Sequence, residues 1–260
     1  MKTKLCILVM SLATAVAVSA APRLVVSTPS LIPESQIDLV FDSPVVPTTE
    51  LGKTVDNTWL EIKPAIPGKL IWKAQNIAQF IPAQVPNIST SYQFSIPSGR
   101  KHLDQSPIPA KAIETLETDE FKIITATSPN RYSNEYVPAT GQWVIAFNDA
   151  VDPTAAAGFI SFGSKQGQRV AAKLEHATIA SSSYLSNYKP WSERFPNIVV
   201  PEKTPASIAT NIIIATPISP LPVGDEWSIS LLAGLPNTSS TARTKSDSNY
   251  SIGKIEPLRS

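Results

Sequence analysis

Three residues of one polar segment have the types that nucleophilic catalysis requires. His102, Asp104 and Ser106 alternate in the stretch GRKHLDQS. A serine nucleophile needs a histidine base, and the histidine needs a carboxylate that orients it. Three such residues can occur in one polar segment by chance, and their spacing alone does not place the side chains in the geometry of a triad. We therefore interpret the stretch as a solvated turn rather than as a catalytic triad.

Ligands for a metal ion are sparse. The chain contains two histidines, His102 and His176, and none of the patterns HxH, HxxxH or HExxH. A protein metal site needs three or four ligands close together. The acidic run ETLETDE at 114–120 lacks the alternating acids and central glycine of a calcium-binding loop, so we interpret it as a solvated linker. We expect no metal and no cofactor.

Other catalytic motifs are also missing. The sequence contains no GxGxxG, no GxxxxGK[ST] and no GxSxG, which are the patterns of dinucleotide binding, phosphate loops and esterases. The single cysteine, Cys6, lies near the start of the chain. We predict that the protein is not an enzyme.

The first residues have the composition of a secretory signal. Residues 1–20 begin with Lys2 and Lys4, continue as an apolar run and end in Val-Ser-Ala. The apolar run is shorter than the roughly 20 residues of a membrane-spanning helix, so cleavage is favoured over retention as an anchor. Cys6 lies far from the cleavage point and is not placed for lipidation. We expect a secreted, periplasmic or cell-envelope protein whose mature chain has no disulfide.

The remaining composition points to short strands. The 22 basic and 21 acidic residues nearly balance, which argues against nucleic acid or an anionic membrane surface as a partner. No later stretch is long and apolar enough to span a membrane. The 24 prolines are spread along the chain, whereas glycine occurs only 10 times. Proline at this frequency is typical of many strands separated by turns.

Apolar and β-branched runs predict an all-β fold. They recur at intervals of about ten residues with turn residues between them, as in antiparallel β-sandwiches. The predicted strands are 24–27, 37–41, 59–63, 69–74, 78–81, 91–96, 121–126, 142–147, 158–162, 169–174, 211–216 and 227–232.

Three blocks of sequence occur twice in the same order. Self-similarity of this kind is typical of tandem modules, although general strand patterning is the alternative. The paired blocks are 37–46 with 143–152, 59–74 with 159–174, and 85–96 with 221–232. We predict two tandem Ig-like β-sandwich domains after the signal peptide. The first covers 22–110, a linker follows at 111–120, and the second covers 121–260 with an insertion near 176–210.

Aromatic residues are the remaining candidates for binding. Those on predicted strands are expected in the core, because large rings at alternate strand positions are usually buried. The insertion carries four aromatics at helix-like spacing among polar residues, and these are Tyr184, Tyr188, Trp191 and Phe195. They form either a short amphipathic turn that caps the sandwich or a loop that binds a partner.

The first predicted domain resembles the Ig-like (macroglobulin-type) modules at the N-terminus of bacterial alpha-2-macroglobulin family proteins. The shared pattern is a strand ending in Phe, a Pro-Val pair, a glycine turn before an apolar-Trp strand, then F-x-P and a Tyr strand. The matching residues are Phe41, Pro44, Val45, Ile62, Pro64, Gly68, Trp72, Phe80, Pro82 and Tyr92. The segment 219–235 resembles the equivalent end strand of the second module.

The resemblance implies a secreted or periplasmic protein related to protease inhibitors. Full-length family members trap proteases through a bait region and a thioester formed in a Cys-Leu-Glu-Gln motif, which this sequence lacks. We therefore expect a truncated, non-enzymatic relative without the thioester, acting as a scaffold or binding protein. Its partner would be a protein, such as a protease or other macroglobulin domains. The alternative is a cell-surface Ig-like adhesion or carbohydrate-binding module.

Overall fold

Strands dominate the chain and helices are short. A computed structural model describes residues 21–128, 137–178, 188–195, 198 and 208–255. The strands are β1 (Arg23–Val26), β2 (Ile37–Val40), β3 (Thr54–Asp56), β4 (Glu61–Lys63), β5 (Gly68–Ala74), β6 (Ile77–Pro82), β7 (Ser91–Ser95), β8 (Ala112–Glu117), β9 (Ile123–Thr127), β10 (Trp143–Phe147), β11 (Ile160–Ser164), β12 (Arg169–Thr178), β13 (Ile208–Pro217), β14 (Glu226–Leu231) and β15 (Ser248–Lys254). Helix α1 spans Pro153–Ala156, and 3-10 helices span Thr48–Glu50 and Trp191–Arg194.

The first eight strands form two antiparallel sheets, which we call the first unit (residues 21–118). One sheet has the order β1-β2-β6-β5-β3 and the other the order β4-β7-β8. Alternate side chains of both sheets meet in one core, because successive strand residues point to opposite faces. Leu70 and Trp72 of β5 share this core with Tyr92 and Phe94 of β7. The first unit is therefore a β-sandwich.

The last seven strands form one continuous sheet, which with its loops we call the second unit (residues 121–255). Its order is β15-β14-β11-β12-β13-β10-β9. The long strand β12 pairs with β11 near Ala171 and with β13 near Lys173, and so connects the two halves of the sheet. Phe162 of β11 and Ile213 of β13 lie in the same core. The two halves thus face each other as the layers of a second sandwich.

Both units have the strand order of a constant-type immunoglobulin fold, with strands A, B, E and D in one layer and C, F and G in the other. In the first unit, β1-β2-β6-β5 corresponds to A-B-E-D and β4-β7-β8 to C-F-G, with β3 added at the edge of β5. In the second unit, β9-β10-β13-β12 corresponds to A-B-E-D and β11-β14-β15 to C-F-G. The predicted all-β Ig-like fold is confirmed, and the repeated sequence blocks lie on equivalent strands.

Strand β10, in one layer of the second unit, is buried on both faces. All five residues of β10 are buried, whereas a strand at a sandwich surface alternates between buried and exposed residues. Val144 and Ile212 form a small outer cluster against which Tyr188 packs. Asn211, 1% exposed, donates hydrogen bonds of 2.9 Å to the carbonyl oxygens of Phe147 and Tyr188. The predicted insertion therefore contributes to covering this layer.

Two segments differ from their predictions. The predicted linker 111–120 contains β8, which pairs with β7 through Tyr92 opposite Leu116. The polar stretch 245–251, which lies outside the predicted strands, contains the start of β15, which pairs with β14. Both strands are edges of their sheets, where exposed polar side chains are tolerated and alternation is weak. Pairing with a neighbouring strand, rather than intrinsic propensity, determines their conformation.

Candidate functional site at the junction of the two units

The loop that connects β6 and β7 of the first unit enters the core of the second unit. Ile88 on this loop is 1% exposed and belongs to the same apolar cluster as Phe121, Phe147 and Trp191. Val85, three positions earlier, packs against this cluster as well. Burying a side chain of this size contributes about 1.5–3 kcal/mol relative to leaving it in water. The junction is therefore part of a hydrophobic core.

Trp191 closes the junction from the other side. Its indole Nε1 donates a hydrogen bond of 2.7 Å to the carbonyl oxygen of Pro86. The ring meets Phe195 edge-on, with centroids 5.3 Å apart at 75°, an arrangement that aromatic pairs favour. Pro190 precedes the 3-10 helix in an extended conformation and directs Trp191 inwards. The short helix thus anchors the insertion to the first unit.

Polar contacts hold the chain where it passes from one unit to the next. The backbone N–H of Thr90 donates to Thr118 Oγ1 at 2.8 Å, and that hydroxyl donates to the carbonyl oxygen of Asn87 at 2.9 Å. The N–H of Phe121 donates to Ser89 Oγ at 2.8 Å. Ser89 adopts φ 55°, a left-handed conformation that turns its side chain into this position. The β6–β7 loop and the connection between the units are therefore fixed together.

Two ion pairs lie at the rim of the junction. Arg194 of the 3-10 helix donates to both oxygens of Glu34, at 3.0 and 2.9 Å. Lys245 pairs with Glu120, and this hydrogen bond lowers the pKa of the Glu120 carboxyl. All four groups are partly or largely exposed, so solvent screens both pairs and each contributes little to stability. The rim orients the units but does not dominate the stability of the junction.

A cleft of about 350 Å³ opens beside Trp191 between the two units. Asp149 lines it, and burial raises the pKa of its carboxyl above the ordinary value. The Asn237 amide donates to Asp149 Oδ2 at 2.8 Å and partly offsets this effect. The hydroxyls of Ser239 and Thr241 also line the cleft. This arrangement suits a small polar group, but it contains no nucleophile–base pair.

A second concave surface lies on the outer face of β11, β14 and β15. This polar groove of about 480 Å³ is lined by residues that include Ser228, Ser230, Asn249, Ser251 and Arg169. Ser230 and Asn249 share a hydrogen bond of 2.7 Å from hydroxyl to amide oxygen. The groove offers hydroxyl, amide and guanidinium groups to a ligand.

The aromatic residues predicted to bind a partner pack inside the protein where the structure describes them. Trp191 and Phe195 are 2% and 5% exposed, so neither ring is available to a partner, and the prediction of a partner-binding surface is wrong for these two residues. Their large apolar areas are used instead at the junction core. Tyr188 is half-buried against the outer cluster. Tyr184 lies outside the described residues.

The segment of His102, Asp104 and Ser106 does not form a catalytic triad. Asp104 Oδ1 accepts hydrogen bonds from the backbone and hydroxyl of Ser106, while His102 Nε2 lies 3.4 Å from Asp42 Oδ1. His102 is 4% exposed, so the prediction of a solvated turn is wrong at this residue. Its burial follows from the contact with the loop after β2, where the Leu103 N–H donates to the Pro44 carbonyl oxygen.

Sequence reasoning missed Ile88 and Pro86, two of the residues that reach the second unit from the first. Both lie in the short loop VPNIST, which was aligned with 221–232 as part of the repeat. An apolar residue in a loop shows no strand or helix periodicity. Ile88 would be exposed at a loop tip if the first sandwich were isolated. Such exposed apolar residues often indicate a contact surface, and this was the signal that could have identified Ile88.

Comparison with protein-family models and with curated proteins finds no match to this chain. Among the residues that the structure describes, no group of three His, Cys, Asp or Glu side chains could hold a metal ion. No helix in the described part of the chain is long and apolar enough to cross a membrane.

Proposed function

We propose that this protein is a non-enzymatic, secreted or cell-envelope scaffold that binds a protein partner through two coupled Ig-like units. The observation that carries the proposal is the burial of Ile88 of the first unit in the core of the second. A flexible pair of modules would be joined by an exposed linker with few contacts. Here the core, the Trp191–Pro86 hydrogen bond and the backbone contacts restrict the angle between the units.

A restricted angle between the two units would allow such a scaffold to recognise a partner that contacts both. Exposed strands and loops of the two units are presented together, so a partner that spans both binds without paying to order them. Edge strands such as β15 suit pairing with an extended segment. The resemblance to the N-terminal modules of bacterial alpha-2-macroglobulins, without their thioester, indicates an endopeptidase as the class of partner.

Binding to proteases tests this proposal directly. The immobilised protein is exposed to serine, cysteine, aspartic and metallo-endopeptidases whose active sites are blocked, so that binding is measured without digestion. We expect saturable binding to at least one class by surface plasmon resonance. A matched surface carrying heat-unfolded protein should bind none of them. Absence of binding to every class would contradict the assignment of proteases as partners.

The second candidate is a cell-surface adhesion or carbohydrate-binding module, and the polar groove on β11, β14 and β15 favours it. Its hydroxyl and amide groups match those of a sugar. In a glycan array, this function predicts binding that Ser251→Trp abolishes, because the exposed residue lines the groove and a large ring would fill it. Ser91→Trp, on an exposed position of β7, is the matched control. Glycan binding with this pattern, together with no protease binding, would favour the second candidate.

A further inference from the structure

The loop that follows strand E has the same place in both units but a different environment. It begins at Pro82, the last residue of β6, and at Pro217, the last residue of β13. In the first unit Ile88 of this loop is 1% exposed because the second unit covers it. In the second unit Ile218 and Val223 are 67% and 57% exposed. They are the most exposed large apolar residues of the described chain.

The junction shows what covers such a loop. The cleft beside Trp191 joins 85–88 of the first unit to 149–150 and to 238–241 of the second. These segments follow β10 and β14, which are strands B and F. The E–F loop of the first unit therefore meets the B–C and F–G loops of the second unit, together with Trp191 of the insertion.

The first unit has a free surface of this receiving type at its opposite end. Its B–C loop follows β2 and its F–G loop follows β7, and these loops expose Leu51 and Leu103 at 39% and 45%. The N–H of Leu103 donates to the carbonyl oxygen of Pro44 at 2.9 Å, so the two loops are in contact. Four of the seven exposed large hydrophobics among the described residues thus lie at the two ends of the molecule.

We propose that copies of this chain associate head to tail, with the E–F loop of one second unit docked on the B–C and F–G loops of the next copy's first unit. Ile218 and Val223 would meet Leu51 and Leu103, so the E–F, B–C and F–G loops that meet within each molecule would also meet between molecules. Because the two surfaces differ, the association is heterologous and does not close at a dimer. The inference concerns the ends of the molecule and does not rest on the proposed scaffold function.

Sedimentation velocity of the purified protein, over concentrations from micromolar to millimolar, tests the inference. We expect the average mass to rise past the dimer, as an open series does. Two double variants remove one surface each, Ile218→Asp with Val223→Asp, and Leu51→Asp with Leu103→Asp. Each should be monomeric alone, while retaining the wild-type circular dichroism spectrum.

Mixing the two double variants gives the sharper result. Each retains one intact surface, so the mixture should form a one-to-one complex and nothing larger. Ile124→Asp, at a residue 44% exposed on β9, is the matched control and should associate like the wild type. A protein that is monomeric at every concentration overturns the proposal. So does self-association that persists in either double variant, or its loss in the control.

Discussion

The indole Nε1 of Trp191 donates a hydrogen bond of 2.7 Å to the carbonyl oxygen of Pro86, a residue 105 positions earlier in the chain. This bond joins the insertion of the second unit to a loop of the first. It is buried, and the ring that makes it belongs to the core that also encloses Ile88. The contact therefore combines apolar packing with a specific polar anchor.

Substitutions at Trp191 separate these two contributions. Trp191→Ala should lower the free energy of unfolding by about 3–5 kcal/mol, because it leaves a cavity in the core. Trp191→Phe keeps most of the apolar area and should cost about 1–3 kcal/mol, since the Pro86 oxygen loses its donor. Urea denaturation followed by circular dichroism measures both. A Trp191→Phe variant as stable as the wild type would contradict the role of the hydrogen bond, and equal costs for the two variants would contradict the contribution of packing.

Trp72 should be as important to the first unit. It is 2% exposed and packs against Trp59 and Phe41, with centroids 5.6 and 6.3 Å away. Trp72→Ala should cost about 3–5 kcal/mol in the same denaturation experiment. Gln93→Ala, at an exposed position of β7, is the control and should remain within about 0.5 kcal/mol of the wild type. An unchanged midpoint for Trp72→Ala would show that the ring is not part of the core.

Gly68 should not tolerate a side chain. An added Cβ would overlap the Phe80 ring and lie 2.6 Å from the Ile81 carbonyl oxygen. Gly68→Ala should therefore destabilise the protein by about 1–3 kcal/mol through overpacking. Gly158→Ala is the matched control, because a Cβ there meets nothing within 4 Å. Thermal melting should distinguish the two, and an equal melting temperature would contradict the predicted overlap.

Asp149 should make stability depend on pH. Burial raises the pKa of its carboxyl in the folded protein above the ordinary value of 3.8, so the folded state holds the proton to higher pH than the unfolded chain. The stability contributed by the protonated form is complete below 3.8 and is lost as pH rises through the folded pKa. Asp149→Asn remains neutral and should lose less stability over this range.

Urea titrations at several pH values from about 4 to 7 measure this difference, which follows from proton linkage. Asp56→Asn, at an exposed position of β3, serves as the control and should follow the wild type. Parallel pH profiles for Asp149→Asn and the wild type would show that the carboxyl is not desolvated in the folded protein.

Much of the fold could be predicted because its strands have one buried face. Trp227, Ile229 and Leu231 alternate with polar residues along β14, and their periodicity identifies the strand without further information. The edge strands β8 and β15 carry a weaker pattern, since little of their surface is buried. Their conformation depends on pairing with strands that are distant in sequence, and the local pattern of residues gives no information about those strands.

The candidate site was less accessible to prediction for a related reason. The spacing of Trp191 and Phe195 indicated one apolar side of a short turn, but it did not show what that side would meet. The partner surface is supplied by Ile88 and Pro86, in a loop whose apolar residues have no period. Packing between the units depends on two segments that are distant in sequence, so it cannot be predicted from either segment alone.

The burial of Ile88 also limits how the two units can be exchanged during evolution. The boundary between the two topological repeats lies between residues 118 and 121, where recombination could separate one complete set of strands from the other. Such an event would nevertheless separate Ile88 from Phe121 and Trp191, which enclose it. An exchanged unit would bring an E–F loop that does not fit its new neighbour. Descendants of this chain should therefore retain the two units as a pair, although each has a complete immunoglobulin topology of its own.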